Sequence, residues 1–444
     1  MKVSLRPYAQ MSRKFCALIA ETQVNHLAVS SGFVKRQWRK ISPLAFILSF
    51  FVSISTQMRP SLRKRAAQLC LFTGLTERLS KQGLFKRLTP QAAVFCRSLL
   101  AHLIKVRIAQ ASLPLKKGLF GSFQQVLIQD STTIALSDTL ATHFKGSVSN
   151  GVQKAILRIQ CVFDLRTHCF RKLSLAPYCH NDQSAAASVH AFVGKGTLLL
   201  RDLGYFALQS IEQIIGRRAF FLTRLRYGCN LYLPDGTPTD IGALLAKGKQ
   251  SYRVLLGKHH RLALRLIAVK LSPEVAAARR RKALCNRDAR LKRGKAYLAT
   301  LDYCLLLTNV SEDVWTPKQA GQVYGFRWRI ETLFKALKSS GLHIDLLCER
   351  VRTNKAAVQV SVLLCLCFAV TIMHLCAALA IWGEQDSGEQ VSLLLILEWI
   401  VANWVVFFSA SPPHQRQLLL SFCKHEKRKK RMSLCHKLCQ PNQP

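Results

Sequence analysis

The chain has 444 residues, 49% of them hydrophobic, which allows two or three domains and excludes a disordered chain. Lys and Arg number 65 against 23 Asp and Glu, a net charge of +42. Self-repulsion at that charge calls for a polyanionic partner: nucleic acid first, because Lys and Arg release counterions from phosphates, and an anionic membrane surface second.

The opening MKVSLRPYAQMSRKF has neither a continuous apolar run nor a small-residue cleavage site, so no signal peptide is read. Residues 1–115 read as a helical, basic region. LAFILSFFVSIS (44–55) is apolar, and 79–108 carries apolar residues at helical spacing, with Thr89 as the cap and Pro90 at the first position. A helix-turn-helix and a plain bundle with a solvated basic face fit this region equally.

From 121 the texture changes. Residues 123–136, 156–167 and 169–178 read as three successive strands, 182–193 as a helix, and 196–207 as a strand. LQSIEQIIGRR follows as a helix and 219–226 as a strand. This is an α/β pattern: a mixed sheet with helices on its faces, whose first part spans 116–226. Turn signals such as PDGTP mark 227–296 as a β-rich insertion. Within it, 279–295 carries nine bases and one acid, which suits a solvated face or phosphate contact. The sheet resumes at 297–345, with a strand at 297–310 and one long helix at 316–341, capped by Thr316, started by Pro317 and ended by Gly341.

A helical region, 346–423, follows. Its residues 356–383 lack Asp, Glu, Lys and Arg and could span a bilayer by length, but Gln359, Ser361, Thr371 and His374 favour a buried core helix. The last part, 424–444, reads as a basic tail. The 16 cysteines follow no disulfide spacing and read as reduced, mostly buried thiols. Cys423, His425, Cys435, His436 and Cys439 could offer zinc ligands, though their spacing matches no standard finger.

The stretch YGFRWRIETLFKALK (324–338) holds one acid among four bases. At about 100° per residue, Tyr324, Arg327, Glu331, Lys335 and Lys338 share a sector of about 80°. Phe326, Ile330, Leu333, Phe334 and Leu337 face the other way. Arg327 and Lys335 flank Glu331 at i−4 and i+4, and such pairs stabilise an exposed helix by a few tenths of a kcal/mol. That accounts for the pairs and not for the rest of the stripe. Asp130 in VLIQDST and Asp202 in LLLRDLGY each end an apolar strand. With Glu331 they could hold a pair of divalent metals that activate water or a 3′-hydroxyl and stabilise the leaving oxygen. Surrounding bases would offset the mutual repulsion of the carboxylates and grip phosphates. Asp164 reads as a turn residue or as ion-paired with a neighbouring Arg, with support of the metal-binding acids as the alternative; Asp182 and Asp302 read as structural, and His259 and His260 as insertion surface.

The run Tyr324-x2-Arg327-x3-Glu331-x6-Lys338, with QDST around Asp130 and Asp-x-Gly-Tyr at 202–205, resembles the DDE transposases of the insertion-sequence-four family over about 120–345. The resemblance implies an RNase H-like catalytic core interrupted by the insertion. It implies Asp130, Asp202 and Glu331 as catalytic ligands of two divalent metal ions, Mg²⁺ with Mn²⁺ able to substitute. Tyr324, Arg327, Trp328, Lys335 and Lys338 become DNA contacts, Trp328 by stacking on a base; packing is the alternative for that Trp. Double-stranded DNA is the implied partner, at inverted-repeat ends and at the target, with a homodimer in the synaptic complex and a hairpin on the DNA end. A cytoplasmic, nucleoid-associated protein with no membrane follows. A DNA-binding remnant and a structure-specific nuclease of the same fold are the alternatives.

Overall fold

The computed structural model describes residues 19–36, 41–55, 62–73, 80–111, 118–286, 294–340, 342–345, 354–387, 392–409, 414, 417–418 and 421–422. The Cys/His cluster of the tail, the basic tail itself, residues 287–293 of the basic run and Gly341 lie outside them.

Among the described residues eleven strands form one sheet: β1 (Gln125–Leu136), β2 (Lys145–Ser149), β3 (Val152–Asp164), β4 (Cys169–Pro177), β5 (Thr197–Arg201), β6 (Phe220–Arg224), β7 (Leu231–Tyr232), β8 (Pro238–Thr239), β9 (Ser251–Leu256), β10 (Leu262–Lys270) and β11 (Tyr303–Thr308). The order is β2-β3-β1-β5-β6-β11-β10-β9-β7-β8, and β4 also pairs with β3. β1 runs antiparallel to β3 and parallel to β5, and β5 runs parallel to β6. The expected mixed sheet is therefore present. The strands of 227–296 are added to it through β10, which pairs with β11.

Period-2 alternation sends successive residues of β1 and β5 to opposite faces. Val126, Ile128, Leu198 and Leu200 enter one core, and Leu127 and Leu199 the other. Both faces are covered, which explains the unbroken apolar runs VLI and TLLL. The first core also contains the N-terminal helices, the 317–340 segment and the helix Lys355–Ser387. Phe51 and Phe368 meet with ring centroids 5.1 Å apart. The Cys367 thiol donates to the Cys96 carbonyl at 3.7 Å.

Lys355–Met373 has a mean hydropathy of 2.4, enough by length and composition to cross a membrane, yet 94% of it is buried inside the protein. The core-helix reading is the one the structure supports, and the Thr371 hydroxyl is satisfied by the Cys367 carbonyl at 3.0 Å. The helix Pro90–Gln110 starts as expected, the Thr89 side chain accepting from the Ala92 amide at 3.1 Å. Cys96, Cys161, Cys365, Cys367 and Cys376 are buried, as the apolar runs around them led one to expect.

Three readings change. Residues 182–193 give a 3-10 helix, Ala186–Phe192, whose N-cap, Ala185, has no side chain with which to bond the first turn. Residues 297–310 split into a helix, Lys295–Thr300, and β11, because Ala299 and Leu298 favour helix ahead of the turn at Asp302. The helix from Thr316 is not uniform. A capping box of Thr316 and Gln319 opens Pro317–Gly325, a 3-10 turn covers Phe326–Trp328, α-helix returns at Arg329–Lys335, and a π-turn covers Ala336–Ser340. β2 is invisible in the sequence because KGSVS has no apolar alternation. Gly146 within it has no room for a side chain: a Cβ would stand 2.6 Å from Ile156 Cγ1 and 2.7 Å from the Lys154 carbonyl.

Candidate active site

Three separate elements bring the three candidate carboxylates together. Asp130 sits in mid-β1, in register with Cys161 of β3, and its neighbour Gln129 is in register with Arg201 of β5. Asp202 follows directly where β5 ends, just ahead of the 3-10 turn Leu203–Tyr205, and its side chain makes no cap bond to that turn. Parallel pairing of β1 with β5 thus sets the two acids side by side. Glu331 comes from the first turn of Arg329–Lys335, whose Ile330, Leu333 and Phe334 are buried in the core on the side the helical wheel assigned.

The acids meet through Arg327. Its Nη1 is 3.0 Å from Asp130 Oδ2, its Nη2 is 3.1 Å from Glu331 Oε1, and its Nε is 4.0 Å from Asp202 Oδ1. The Tyr324 hydroxyl donates to Asp202 Oδ1 at 3.3 Å. Tyr324 and Arg327 are each only 7% exposed, so this half of the stripe is turned inward against the carboxylates rather than out to solvent. The 3-10 turn that carries Arg327 is the local change that aims it there. Lys335 is exposed and Lys338 half-buried on the outer side. Trp328 is 60% exposed and lies outside the core. The Arg327 guanidinium lies 5.5 Å from its ring centroid.

Burial raises the Asp130 carboxyl to about 6, more than the Ser131 amide and Arg327 pull it down, and Asp202 and Asp182 add to the rise. Burial works against the charge of Arg327, but Asp202, Tyr324, Asp130 and Glu331 together outweigh it and hold its pKa above the ordinary value. The site is thus a place where positive charge is stabilised and negative charge is in excess.

All candidate ligand atoms are carboxylate oxygens, a donor set that fits hard divalent cations such as Mg²⁺ or Mn²⁺. Among the described residues no set of three His, Cys, Asp or Glu side chains is arranged to share one ion directly. The three acids converge on the Arg327 guanidinium instead, so holding an ion requires Arg327 to yield some of its contacts.

The other assignments stand as read. Asp164 is buried and paired with Arg171 at 2.7 Å, Asp302 pairs with Arg280, and the exposed His260 of the insertion pairs with Glu212 of the helix Leu208–Gly216 at 3.0 Å. Asp182 differs. It reads as structural in sequence, because nothing in NDQS marks it, yet it stands within electrostatic reach of Asp130 and against Gly204 of the second acidic motif.

Residues 121–368, more than half of the chain, match the family described as Transposase DDE domain. The chain is 26% identical over 368 residues to a transposase for insertion sequence element IS231B from Bacillus thuringiensis subsp. berliner, covering 76% of this chain and 75% of that one. It is 23% identical over 346 residues to a transposase for insertion sequence element IS1151 from Clostridium perfringens, covering 71% of each. Over 85 residues it is 40% identical to the putative transposase InsL of IS186A from Escherichia coli (strain K12), 19% of this chain and 22% of that one. The family match and the relatives agree: the chain belongs to the DDE transposases, metal-dependent enzymes that cleave and transfer DNA strands.

Proposed function

We propose that this transposase cuts and joins DNA at the terminal inverted repeats of its own insertion sequence, with Asp130, Asp202 and Glu331 as the ligands of two Mg²⁺ ions, replaceable by Mn²⁺. The observation that carries this reading is the convergence of those three acids, from β1, the end of β5 and the 329–335 helix, on one buried cation, Arg327. The core order β4-β3-β1-β5-β6, three antiparallel strands followed by two parallel ones, supports an RNase H-like core.

When bound, the ions lower the pKa of the attacking oxygen and stabilise the leaving oxygen. The residues of the chain do the rest. Arg327 offsets the carboxylates, and Tyr324 holds Asp202 through its hydroxyl. Lys335 and Lys338 contact phosphates of the element end, as do Tyr324 and Arg327 once DNA enters. Trp328, exposed beside them, stacks on a base. Water first hydrolyses a phosphodiester at the element end. The freed 3′-hydroxyl then attacks a second strand, with no covalent protein–DNA intermediate. The enzyme acts on double-stranded DNA as a homodimer in its synaptic complex, in the cytoplasm at the nucleoid, with 1–115 as the end-binding region.

Cleavage of a duplex carrying the DNA that flanks the gene, with Mg²⁺ or Mn²⁺, tests the proposal. Wild type should cut at a defined end, and Glu331→Gln should bind the duplex without cutting it. Metal-dependent cutting by Glu331→Gln would remove Glu331 from the site. Binding without cutting by wild type would favour the DNA-binding remnant.

A further inference from the structure

Asp182 touches the flanks of both acidic motifs. Its Oδ1 accepts from the Ser131 hydroxyl at 2.6 Å, from Arg158 Nη1 at 2.9 Å and from Gln160 Nε2 at 3.4 Å. Arg158 Nη1 also donates to the Ser131 hydroxyl oxygen at 2.8 Å, closing a triangle. Ser131 in turn donates its backbone N–H to Asp130 Oδ1 at 2.8 Å.

The other flank is as close. Gly204 follows Asp202 by two residues, and a Cβ there would stand 3.1 Å from Asp182 Oδ2 and 3.2 Å from Asp182 Cβ. The next residue, Tyr205, is buried and donates its hydroxyl to Gln160 Oε1 at 2.7 Å, and Gln160 is itself a donor to Asp182. One side chain therefore bears on the residue after Asp130 and on the turn after Asp202.

Asp130 and Ser131 are consecutive on β1, so their side chains leave opposite faces of the sheet. The hydrogen-bonded route from Asp182 to Asp130 runs through Ser131: the hydroxyl is fixed on one face, and the amide of the same residue is fixed against the Asp130 carboxylate on the other. A surface ion pair with Arg158 would need neither the Ser131 hydroxyl nor the tight seat beside Gly204. Hydrogen-bonded neighbours of this kind orient metal-binding carboxylates, and removing them costs about 10–100-fold in metal affinity or activity.

We infer that Asp182 is a positioning residue that fixes the Asp130 carboxylate and the spacing of the two acidic motifs for metal binding. The inference rests on the reading of Asp130 and Asp202 as ligands.

The test is Mn²⁺ binding to the full chain, followed by electron paramagnetic resonance, for wild type, Glu331→Gln, Asp182→Ala, Asp182→Asn and Ser131→Ala. Asp182→Ala should weaken Mn²⁺ binding about 10–100-fold. It should raise the Mn²⁺ concentration for half-maximal cleavage by the same factor and leave metal-free DNA binding unchanged. Asp182→Asn, which keeps the Oδ1 acceptor, should restore most of the affinity; an Asn variant as weak as the Ala variant would overturn the role given to that acceptor. If Asp182→Ala does not fold, Ser131→Ala carries the test, because it removes the hydroxyl link and keeps the amide; it too should weaken Mn²⁺ binding. Wild-type Mn²⁺ affinity in Asp182→Ala or Ser131→Ala, whatever the drop in melting temperature, would make the network merely structural and overturn the inference. Failure of the ligand reading looks different: wild type and Glu331→Gln would then bind Mn²⁺ equally or not at all, and the inference would fall with it.

Discussion

Asp130 carries a pH dependence that follows from its burial. Its carboxyl is raised from an ordinary 3.8 to about 6, mainly because burial penalises the charged form. A raised acid contributes to stability below its unfolded value and loses that contribution as pH rises through the folded value. From this group alone, the metal-free protein gains stability as pH falls from about 6 to about 4. Metal competes with that proton. Mn²⁺ affinity should be flat above about pH 6 and fall about tenfold per unit below it. Titration calorimetry between pH 5 and 8 checks this; an affinity independent of pH would mean that Asp130 does not ligate. The sequence placed Asp130 as an acid at the end of an apolar strand, but the charges that surround it, Arg327 and the two neighbouring acids, lie far away in the chain.

At the scale of an element, the helix Lys355–Ser387 decides a question the sequence left open. Apolar composition serves a bilayer and a protein core alike. What separates them is who covers the side chains, and here Phe51 and Cys96 of the N-terminal helices do so. Phe368 is fully buried against Phe51. Phe368→Ala should therefore cost about 3–5 kcal/mol, read by urea denaturation. A cost below about 1 kcal/mol would place Phe368 outside a packed core. The 317–340 segment behaves in a related way. The wheel found its buried side correctly because Ile330, Leu333 and Leu337 keep helical spacing. It put Tyr324 and Arg327 on the side opposite the core, and a uniform wheel contains neither the 3-10 turn at Phe326–Trp328 nor the acids of the sheet against which both are buried.

For the whole molecule, the net charge of +42 makes association with DNA strongly salt-dependent. Removing one cation that neutralises a phosphate should lower the slope of log K against log salt by about one. Lys338→Ala should do so at the element end, measured by fluorescence anisotropy over a salt series; an unchanged slope would mean that Lys338 touches no phosphate. The wider surface supplies affinity for any duplex. Discrimination of the element end must come from particular side chains near the acids.

Local patterns were enough for the sequence to determine the α/β texture, the strand holding Asp130 and the strand that ends just before Asp202, the cap at Thr89 and the spacing of Tyr324, Arg327, Glu331 and Lys338. Each depends on residues a few positions apart, where periodicity and capping chemistry act. Only the tertiary structure decided that β10 joins the insertion to the core sheet, that the helix from Lys355 is packed by N-terminal helices, that Arg327 lies among the acids, and that Asp182 bridges the two acidic motifs. Those interactions join residues from about 33 to more than 270 positions apart. Nothing in the local sequence at either end encodes the partner, because the partner is chosen by sheet register and by which face of each strand meets which core.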